Sequence, residues 1–205
     1  MSAVLDRIAE VGVIPVLRSP SADEAVAAAR GLAQGGLTVL ELTYSTPDVL
    51  EAIRRLSEDP DVTVGAGTVL TERQAHDAVD AGARFLVSPV WVPWLPGLAR
   101  DRGVDAIPGA ATPSEIWRAH DEGAVAVKVF PIARLGGAAY VRDLLAPLPS
   151  LTLMATGGVD VTAARELLAA GCIAVGVGTI SVDPSDRDLA PAERARRFLA
   201  AVRAS

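Results

Sequence analysis

The sequence of 205 residues has little of several residue types that common functional sites require. Its single cysteine, Cys172, excludes an internal disulfide and suits a reducing compartment. Its only histidines, His76 and His120, lie far apart in two segments of helical pattern, without the spacing of metal ligands. That count also argues against a nucleophile activated by histidine. We therefore expect neither a metal nor another cofactor.

Basic charge and long apolar runs are also scarce. The net charge of −6 and the lack of a long basic run argue against nucleic acid as a partner. No apolar run reaches the length that spans a bilayer, and no signal-peptide pattern is present at the N-terminus. We expect a cytoplasmic protein that contacts no membrane and whose partner is a small molecule.

Short aliphatic runs alternate with stretches of helical periodicity along the whole chain. Eight strands alternating with eight helices are typical of a (β/α)8 TIM barrel, and the segment Val4–Val11 is expected to plug the barrel floor as a short N-terminal helix. An open doubly wound sheet, which uses the same βαβ units, is the alternative. Without a linker, residues 1–205 are predicted to form a single domain. The expected strands are Val13–Leu17, Thr38–Thr43, Val62–Gly67, Phe85–Pro89, Asp105–Pro108, Val125–Phe130, Thr152–Thr156 and Ala174–Gly178.

Polar residues that can cap helices mark several helix starts. The capping-box pattern, in which a hydroxyl residue precedes Glu or Gln by three positions, occurs three times. The three pairs are Ser21 with Glu24, Thr71 with Gln74, and Thr112 with Glu115. Each pattern predicts a helix that begins just after its hydroxyl residue.

Lys128 is the only lysine among the 19 basic residues of the chain, and it lies inside the aliphatic run Ala124–Pro131. A guanidinium stays protonated, whereas a buried amine can lose its proton and attack a carbonyl carbon. The sequence uses arginine everywhere else, so this one amine indicates covalent catalysis. The alternative is a lysine at a strand end whose ammonium group extends to water.

Glu41 and Arg18 occupy comparable positions at the ends of predicted strands. Glu41 is the sole acid in the aliphatic strand Thr38–Thr43, where a carboxylate can exchange protons with a substrate. Arg18 follows the first strand, and its planar guanidinium suits a carboxylate or a phosphate. The alternatives are an ion pair between these two residues, or an ordinary surface arginine at position 18.

Glycines and threonines follow three other strands, at the end of the barrel where function is expected. Gly67 and Thr68 let the backbone and a hydroxyl approach a ligand, although a plain turn explains them nearly as well. The loops after the last two strands of a barrel often bind phosphate through backbone N–H groups. Their residues here are Gly157, Gly158, Gly178 and Thr179.

Two tryptophans flank the fourth of these loops. Trp91 and Trp94 are expected either to form a wall of the pocket or to lie in a subunit interface, and the pattern does not separate these uses. Thr112, by contrast, fits a helix N-cap better than a ligand contact.

These motifs, in their order and spacing, resemble the KDPG/KHG aldolases, which comprise 2-keto-3-deoxy-6-phosphogluconate aldolase and 4-hydroxy-2-oxoglutarate aldolase. The resemblance covers nearly the whole chain. It rests on Val13–Arg18, Gly35–Gly36, Leu40–Thr43, Gly65–Val69, Val87–Pro89, Pro108–Gly109, Val127–Pro131, Thr156–Val159 and Val175–Thr179.

The resemblance implies a Schiff-base lyase in which Lys128 attacks the keto carbon and Glu41 transfers protons through a water molecule. It implies that Thr68 binds the pyruvyl carboxylate and that Pro89 and Phe130 form an apolar wall around the imine. The phosphate end of the substrate would then lie against the glycine loops. Because family members are commonly trimers, we also expect a homotrimer.

Three positions depart from the family pattern. Ser45 stands where many members carry an arginine that holds the carboxylate, and Arg18 is the expected replacement. Val129 and Ile132 flank the Phe-Pro pair in place of the usual residues. The alternatives to a KDPG aldolase are an aldolase for the galactonate-derived epimer, 2-dehydro-3-deoxy-6-phosphogalactonate, and a noncatalytic barrel that binds sugar phosphates.

Overall fold

The structure is a computed structural model that describes residues 2–178, 180, 186 and 188–204. Within these ranges, helices alternate with parallel strands from one end of the chain to the other. The strands are β1 (Val13–Leu17), β2 (Val39–Thr43), β3 (Thr63–Gly67), β4 (Phe85–Val87), β5 (Asp105–Ile107), β6 (Gly109–Ala110), β7 (Val127–Val129), β8 (Leu153–Thr156) and β9 (Ala174–Val177). The helices are α1 (Ala3–Val11), α2 (Ala22–Gln34), α3 (Val49–Ser57), α4 (Glu72–Asp80), α5 (Leu95–Asp101), α6 (Pro113–Asp121), α7 (Ile132–Leu135), α8 (Gly137–Leu145), α9 (Val161–Ala169) and α10 (Pro191–Arg203).

The sheet closes on itself. Its hydrogen-bonded order is β5-β4-β3-β2-β1-β9-β8-β7-β6, and the two segments at the ends of this order are halves of one strand. Pro108, which has no N–H to donate, separates them. The Pro108 carbonyl nevertheless accepts a bond from Lys128 N at 2.9 Å, and Val125 N donates to Ala106 O at 3.2 Å. The predicted eight-stranded (β/α)8 barrel is confirmed, and the open doubly wound alternative is wrong.

The predicted N-terminal plug is also confirmed, and the helix begins one residue earlier than expected. The apolar side chains Leu5 and Ile8 of α1 are buried against the cluster that fills the barrel interior. At the same end, the Arg7 guanidinium donates to the Thr38 hydroxyl, just before β2, at 3.2 Å. This helix therefore covers the N-terminal ends of the strands and leaves the opposite end as the open mouth. The interior cluster comprises Leu5, Ile8, Ile14, Val39, Phe85, Val87, Ile107, Ala126, Met154 and Ala174.

The surrounding helices pack their apolar faces on the outside of the barrel, in a second cluster that is rich in alanine, valine and leucine. Two of the three expected capping boxes form, at Thr71 and at Thr112. The third capping box is incomplete. The Ser21 side chain accepts a hydrogen bond from Glu24 N, but the Glu24 side chain accepts none from Ser21 N. No helix within the described ranges is long and apolar enough to cross a membrane.

Candidate active site

The alternation of side chains along two strands turns Lys128 and Glu41 into the barrel. Val39 belongs to the interior cluster, so Glu41, two residues further along β2, faces the same way. Ala126 belongs to that cluster too, and Lys128 follows it by two residues in β7. Because β2 and β7 stand on opposite sides of the closed sheet, the two side chains meet across its interior. Lys128 Nζ lies 3.5 Å from Glu41 Oε1.

This pair is almost sealed from solvent, since the side chains of Lys128 and Glu41 are 6% and 1% exposed. Neither carboxylate oxygen of Glu41 has a hydrogen-bond partner among the described residues. The amine also lies 5.6 Å from the centroid of the Phe130 ring, within range of a cation–π interaction. Such a carboxylate, with no fixed donor, is free to accept a proton from a bound reactant. Lys128 does not extend to water, so that alternative is wrong.

The end of β3 shows how the backbone makes room for this pair. A Cβ at Gly67 would collide with the Glu41 carboxylate, so any residue larger than glycine at that position would displace the carboxylate. Thr68, the next residue, adopts φ of 60°, a left-handed conformation that side chains rarely take. Strain of this kind costs roughly 1–3 kcal/mol and concentrates at binding sites. Its presence here favours a ligand contact for Thr68 over a plain turn.

An apolar cavity of 260 Å³ lies at the mouth of the barrel, and Pro89 and Phe130 both line it. Trp91 also lines it, and the indole Nε1 is buried without a hydrogen-bond partner among the described residues. The Arg118 guanidinium lies 6.0 Å from the Trp91 ring centroid. Both tryptophans pack against the outer cluster. Of the two, Trp91 also lines this cavity, whereas Trp94 does not.

The glycine loops meet the segment that follows Lys128. Gly157 and Gly158 have φ of 101° and 74°, which glycine adopts without strain. The Gly157 carbonyl accepts a bond from Ala133 N, in α7, at 3.1 Å. A Cβ at Gly178 would meet none of the described residues within 4 Å. Thr179 lies outside the described residues.

Arg18 is exposed at the mouth end of β1. Its guanidinium forms neither an ion pair nor a hydrogen bond with any residue that the structure describes. The alternative of an ion pair between Arg18 and Glu41 is therefore wrong, because Glu41 pairs with Lys128 instead. An unpaired guanidinium at the mouth can bind an anionic group of a ligand.

Thr156 was not among the predicted site residues, although it opens the segment Thr156–Val159 of the family resemblance. It is the last residue of β8, next to β7, and it follows the interior residue Met154 by two positions. Its hydroxyl is buried and has no partner in the described part of the chain. The signal was present in the alternation of the strand, because a threonine two residues after an interior methionine must face inward.

Two other titratable groups have structural explanations. Thr112 caps α6 as expected, and its backbone N–H, more than any other group, lowers the pKa of Glu115. Burial raises the pKa of the Cys172 thiol to about 12, which agrees with the interpretation of this cysteine as packing. Among the described residues, no three His, Cys, Asp or Glu side chains gather as a metal site would require. Metal-independent chemistry stays a prediction.

The sequence is similar to that of known aldolases over most of its length. The model of the family described as KDPG and KHG aldolase matches residues 4–194. The 2-dehydro-3-deoxy-phosphogluconate aldolase of Treponema pallidum is 38% identical over 170 residues, which are 82% of this chain and 81% of that protein. The KHG/KDPG aldolase of Escherichia coli K12 is 34% identical over 158 residues, 77% of this chain and 74% of that protein.

Solved structures agree with the sequence relatives. The KDPG aldolase of Legionella pneumophila superposes with a TM-score of 0.85 at 30% identity, over 98% of both chains. That crystal structure holds pyruvate captured at low pH as a covalent carbinolamine intermediate. The similarity therefore extends over the entire barrel.

Proposed function

This chain belongs to the KDPG and KHG aldolase family, and we propose that it cleaves 2-keto-3-deoxy-6-phosphogluconate to pyruvate and glyceraldehyde 3-phosphate through a Schiff base. The observation that carries the proposal is the buried pair of Lys128 and Glu41, with 3.5 Å between Nζ and Oε1. The carbinolamine in the Legionella relative supports attack by an amine on the keto carbon. A barrel that merely bound sugar phosphates would have no use for a buried primary amine.

The reaction begins when Glu41 takes a proton from the Lys128 ammonium, and the neutral Nζ then attacks the keto carbon, C2, to form a carbinolamine. Glu41 donates a proton, through a water molecule, to the leaving hydroxyl, and loss of water gives the imine. The protonated imine then accepts the electron pair of the C3–C4 bond as Glu41 takes the proton of the C4 hydroxyl. The aldehyde leaves, and Glu41 returns the proton, through a water molecule, to C3 of the resulting enamine. Addition of water to the imine then releases pyruvate and regenerates the amine.

Other residues at the mouth are assigned to binding. Thr68 and Arg18 hold the substrate carboxylate, supported by the strained backbone of the first and the unpaired guanidinium of the second. Pro89 and Phe130, which line the same cavity, exclude water around the imine. The phosphate is assigned to the backbone of the loops after β8 and β9, at Gly157, Gly158, Gly178 and Thr179.

The experiment that tests substrate choice measures kcat/KM for pyruvate release from four substrates. These are the phosphorylated gluconate compound, the same compound without phosphate, its galactonate epimer, and 4-hydroxy-2-oxoglutarate. We expect the phosphorylated gluconate substrate to be cleaved at least about tenfold more efficiently than its dephosphorylated form, because a phosphate contact contributes more than one hydrogen bond. Equal kcat/KM with and without the phosphate would contradict the assignment of the glycine loops to phosphate binding.

A second activity toward 4-hydroxy-2-oxoglutarate, yielding pyruvate and glyoxylate, is supported by the name of the Escherichia coli relative. A Lys128→Arg variant serves as the control for all four substrates. It keeps the positive charge but cannot form an imine, so we expect no cleavage. If the unaltered protein binds these compounds and cleaves none of them, it is a noncatalytic barrel.

We also propose that the chain works as a cytoplasmic homotrimer. Two large apolar side chains near the mouth, Val90 and Trp117, are 52% and 44% exposed, which suits a surface covered by another subunit. The buried and unreactive Cys172 suits a reducing compartment. Light scattering should give the mass of three 21.2-kDa chains, and a mass of one or two chains would contradict the trimer.

A further inference from the structure

Two buried hydroxyl groups hold the backbone on both sides of Arg18. The Thr43 hydroxyl donates to the Leu17 carbonyl at 3.1 Å. The Thr46 hydroxyl accepts a bond from Ser19 N at 3.1 Å. One contact fixes the peptide group before Arg18 and the other fixes the peptide group after it. The loop after β1 is thus anchored both to β2 and to the loop that follows β2. The two anchored peptide groups set the position of the Arg18 backbone.

The strand register explains this placement. Val16 pairs with Glu41 and Leu17 with Leu42, so Arg18 stands level with Thr43, two residues nearer the mouth than Glu41. Thr43 and Thr46 are both buried, and Thr46 N donates to Thr43 O at 2.9 Å, which closes the turn between them. Hydrogen bonds in such a site are shielded from water and hold their geometry well.

A third hydroxyl completes the arrangement. Ser45 Oγ lies 2.6 Å from Thr43 Oγ1. Because the Thr43 proton points to the Leu17 carbonyl, Ser45 must be the donor in this contact. Ser45 thereby supports Thr43 from the solvent side, as the last member of a chain of hydrogen bonds that ends at the backbone of Arg18.

We propose that Thr43, Ser45 and Thr46, the hydroxyl clamp, are positioning residues that fix the backbone of Arg18 so that its guanidinium binds the carboxylate of the keto acid. The inference rests on the proposed function, which assigns that carboxylate to Arg18. An arginine loses much conformational freedom when it is immobilised, and an anchored backbone reduces the part lost on binding. The clamp therefore acts on substrate affinity through Arg18, without contact with the reacting atoms.

The test measures pyruvate affinity by titration calorimetry, because pyruvate carries the carboxylate but lacks the rest of the substrate. In the Thr46→Val variant we expect the dissociation constant to rise about fivefold, the ratio that one net hydrogen bond represents. The Thr46→Ser variant keeps the hydroxyl and should restore the affinity. The kcat for the phosphorylated gluconate substrate should stay unchanged in Thr46→Val while KM rises.

A double-mutant cycle with Arg18→Ala separates this role from a general effect on the fold. If the clamp acts through Arg18, adding Thr46→Val to Arg18→Ala should change the affinity less than about 1.5-fold, because the coupled group is gone. A further fivefold loss in that background, or a fall in kcat with KM unchanged, would overturn the proposal. Thr38→Val is the matched control, because the Thr38 hydroxyl also accepts one partly buried hydrogen bond, from Arg7 at the barrel floor. Its pyruvate affinity should equal that of the unaltered protein.

The outcomes also distinguish this inference from the proposed function. If the unaltered protein does not bind pyruvate at all, the aldolase assignment fails and the clamp fails with it. If it binds pyruvate and Arg18→Ala binds equally well, the carboxylate is held elsewhere. The clamp is then refuted, while the chemistry assigned to Lys128 stands.

Discussion

Removing the amine of Lys128 while its partner stays in place should destabilise the fold strongly. In a Lys128→Met variant, the Glu41 carboxylate stays buried with neither its cation nor any hydrogen-bond partner among the described residues. At 3.5 Å and an effective dielectric constant of 20, the lost attraction is about 5 kcal/mol. Variants that break buried pairs lose about 3–5 kcal/mol, so we expect a loss in that range in the free energy of unfolding.

The double variant Lys128→Met with Glu41→Leu should behave in the opposite way. Both buried charges are then absent, and apolar side chains fill the space between β2 and β7. Replacing a buried ion pair in this manner is often neutral or stabilising by about 1–4 kcal/mol. We expect the double variant to be at least as stable as the unaltered protein and to have no aldolase activity. That result would show that the pair is kept for chemistry at the expense of stability.

Urea unfolding, followed by circular dichroism at one protomer concentration, measures these differences. The control is Glu51→Gln, which breaks an ion pair with Arg54 at 2.7 Å. Those side chains are 53% and 57% exposed, so the loss should stay below about 1 kcal/mol despite the shorter distance. If Lys128→Met lowers the free energy of unfolding no more than this control does, the buried pair is not coupled as its geometry indicates. A double variant less stable than Lys128→Met alone would contradict the cost assigned to the lone Glu41 carboxylate.

Three further predictions concern the surroundings of the pair. Gly67→Ala should displace the Glu41 carboxylate and lower kcat about a hundredfold in steady-state kinetics. In the control variant Gly97→Ala, the added methyl group has room and kcat should stay unchanged. Thr112→Ala removes the N-cap of α6 and should lower the unfolding free energy by about 1 kcal/mol in urea titrations, and no loss would contradict the capping contact. Glu115→Gln should be less stable than the unaltered protein near pH 7. Because the folded pKa of Glu115 lies below its ordinary 4.5, that difference should vanish as the pH falls through the folded value, and melting temperatures between pH 7 and pH 2 test it.

The barrel was predictable because alternating strands and helices allow few other closed architectures. The boundaries were less accurate where proline interrupts pairing. The fourth strand was expected to reach Pro89 but ends at Val87, and the fifth is broken at Pro108. Proline cannot donate a ladder hydrogen bond, so hydropathy overestimates strand length at such positions.

The catalytic pair could also be predicted, because an isolated amine and an isolated acid in two aliphatic strands have few other uses. The alternative of an ion pair between Glu41 and Arg18 was wrong, and the reason lies in the register of β1 against β2. Glu41 is level with Val16, which leaves Arg18 beyond it toward the mouth. Sequence patterns identify neighbouring strands but do not give the offset between them.

The hydroxyl contacts around Arg18 lay beyond sequence reasoning altogether. They depend on the loop conformations that bring Thr46 to Ser19 N, and on a rotamer that directs Thr43 to a carbonyl rather than to a ligand. Threonine in a strand is common because it suits the pleated surface, so its presence alone carries no functional signal.

Borohydride reduction in the presence of pyruvate shows whether Lys128 is the nucleophile, because it traps an imine as a stable adduct on the amine that formed it. Peptide mass mapping should find one pyruvyl adduct, on the peptide that contains Lys128, and the Lys128→Arg variant should give none. Pyruvate binding without any adduct at Lys128 would contradict the account, because an imine at that amine is what the buried pair is proposed to form.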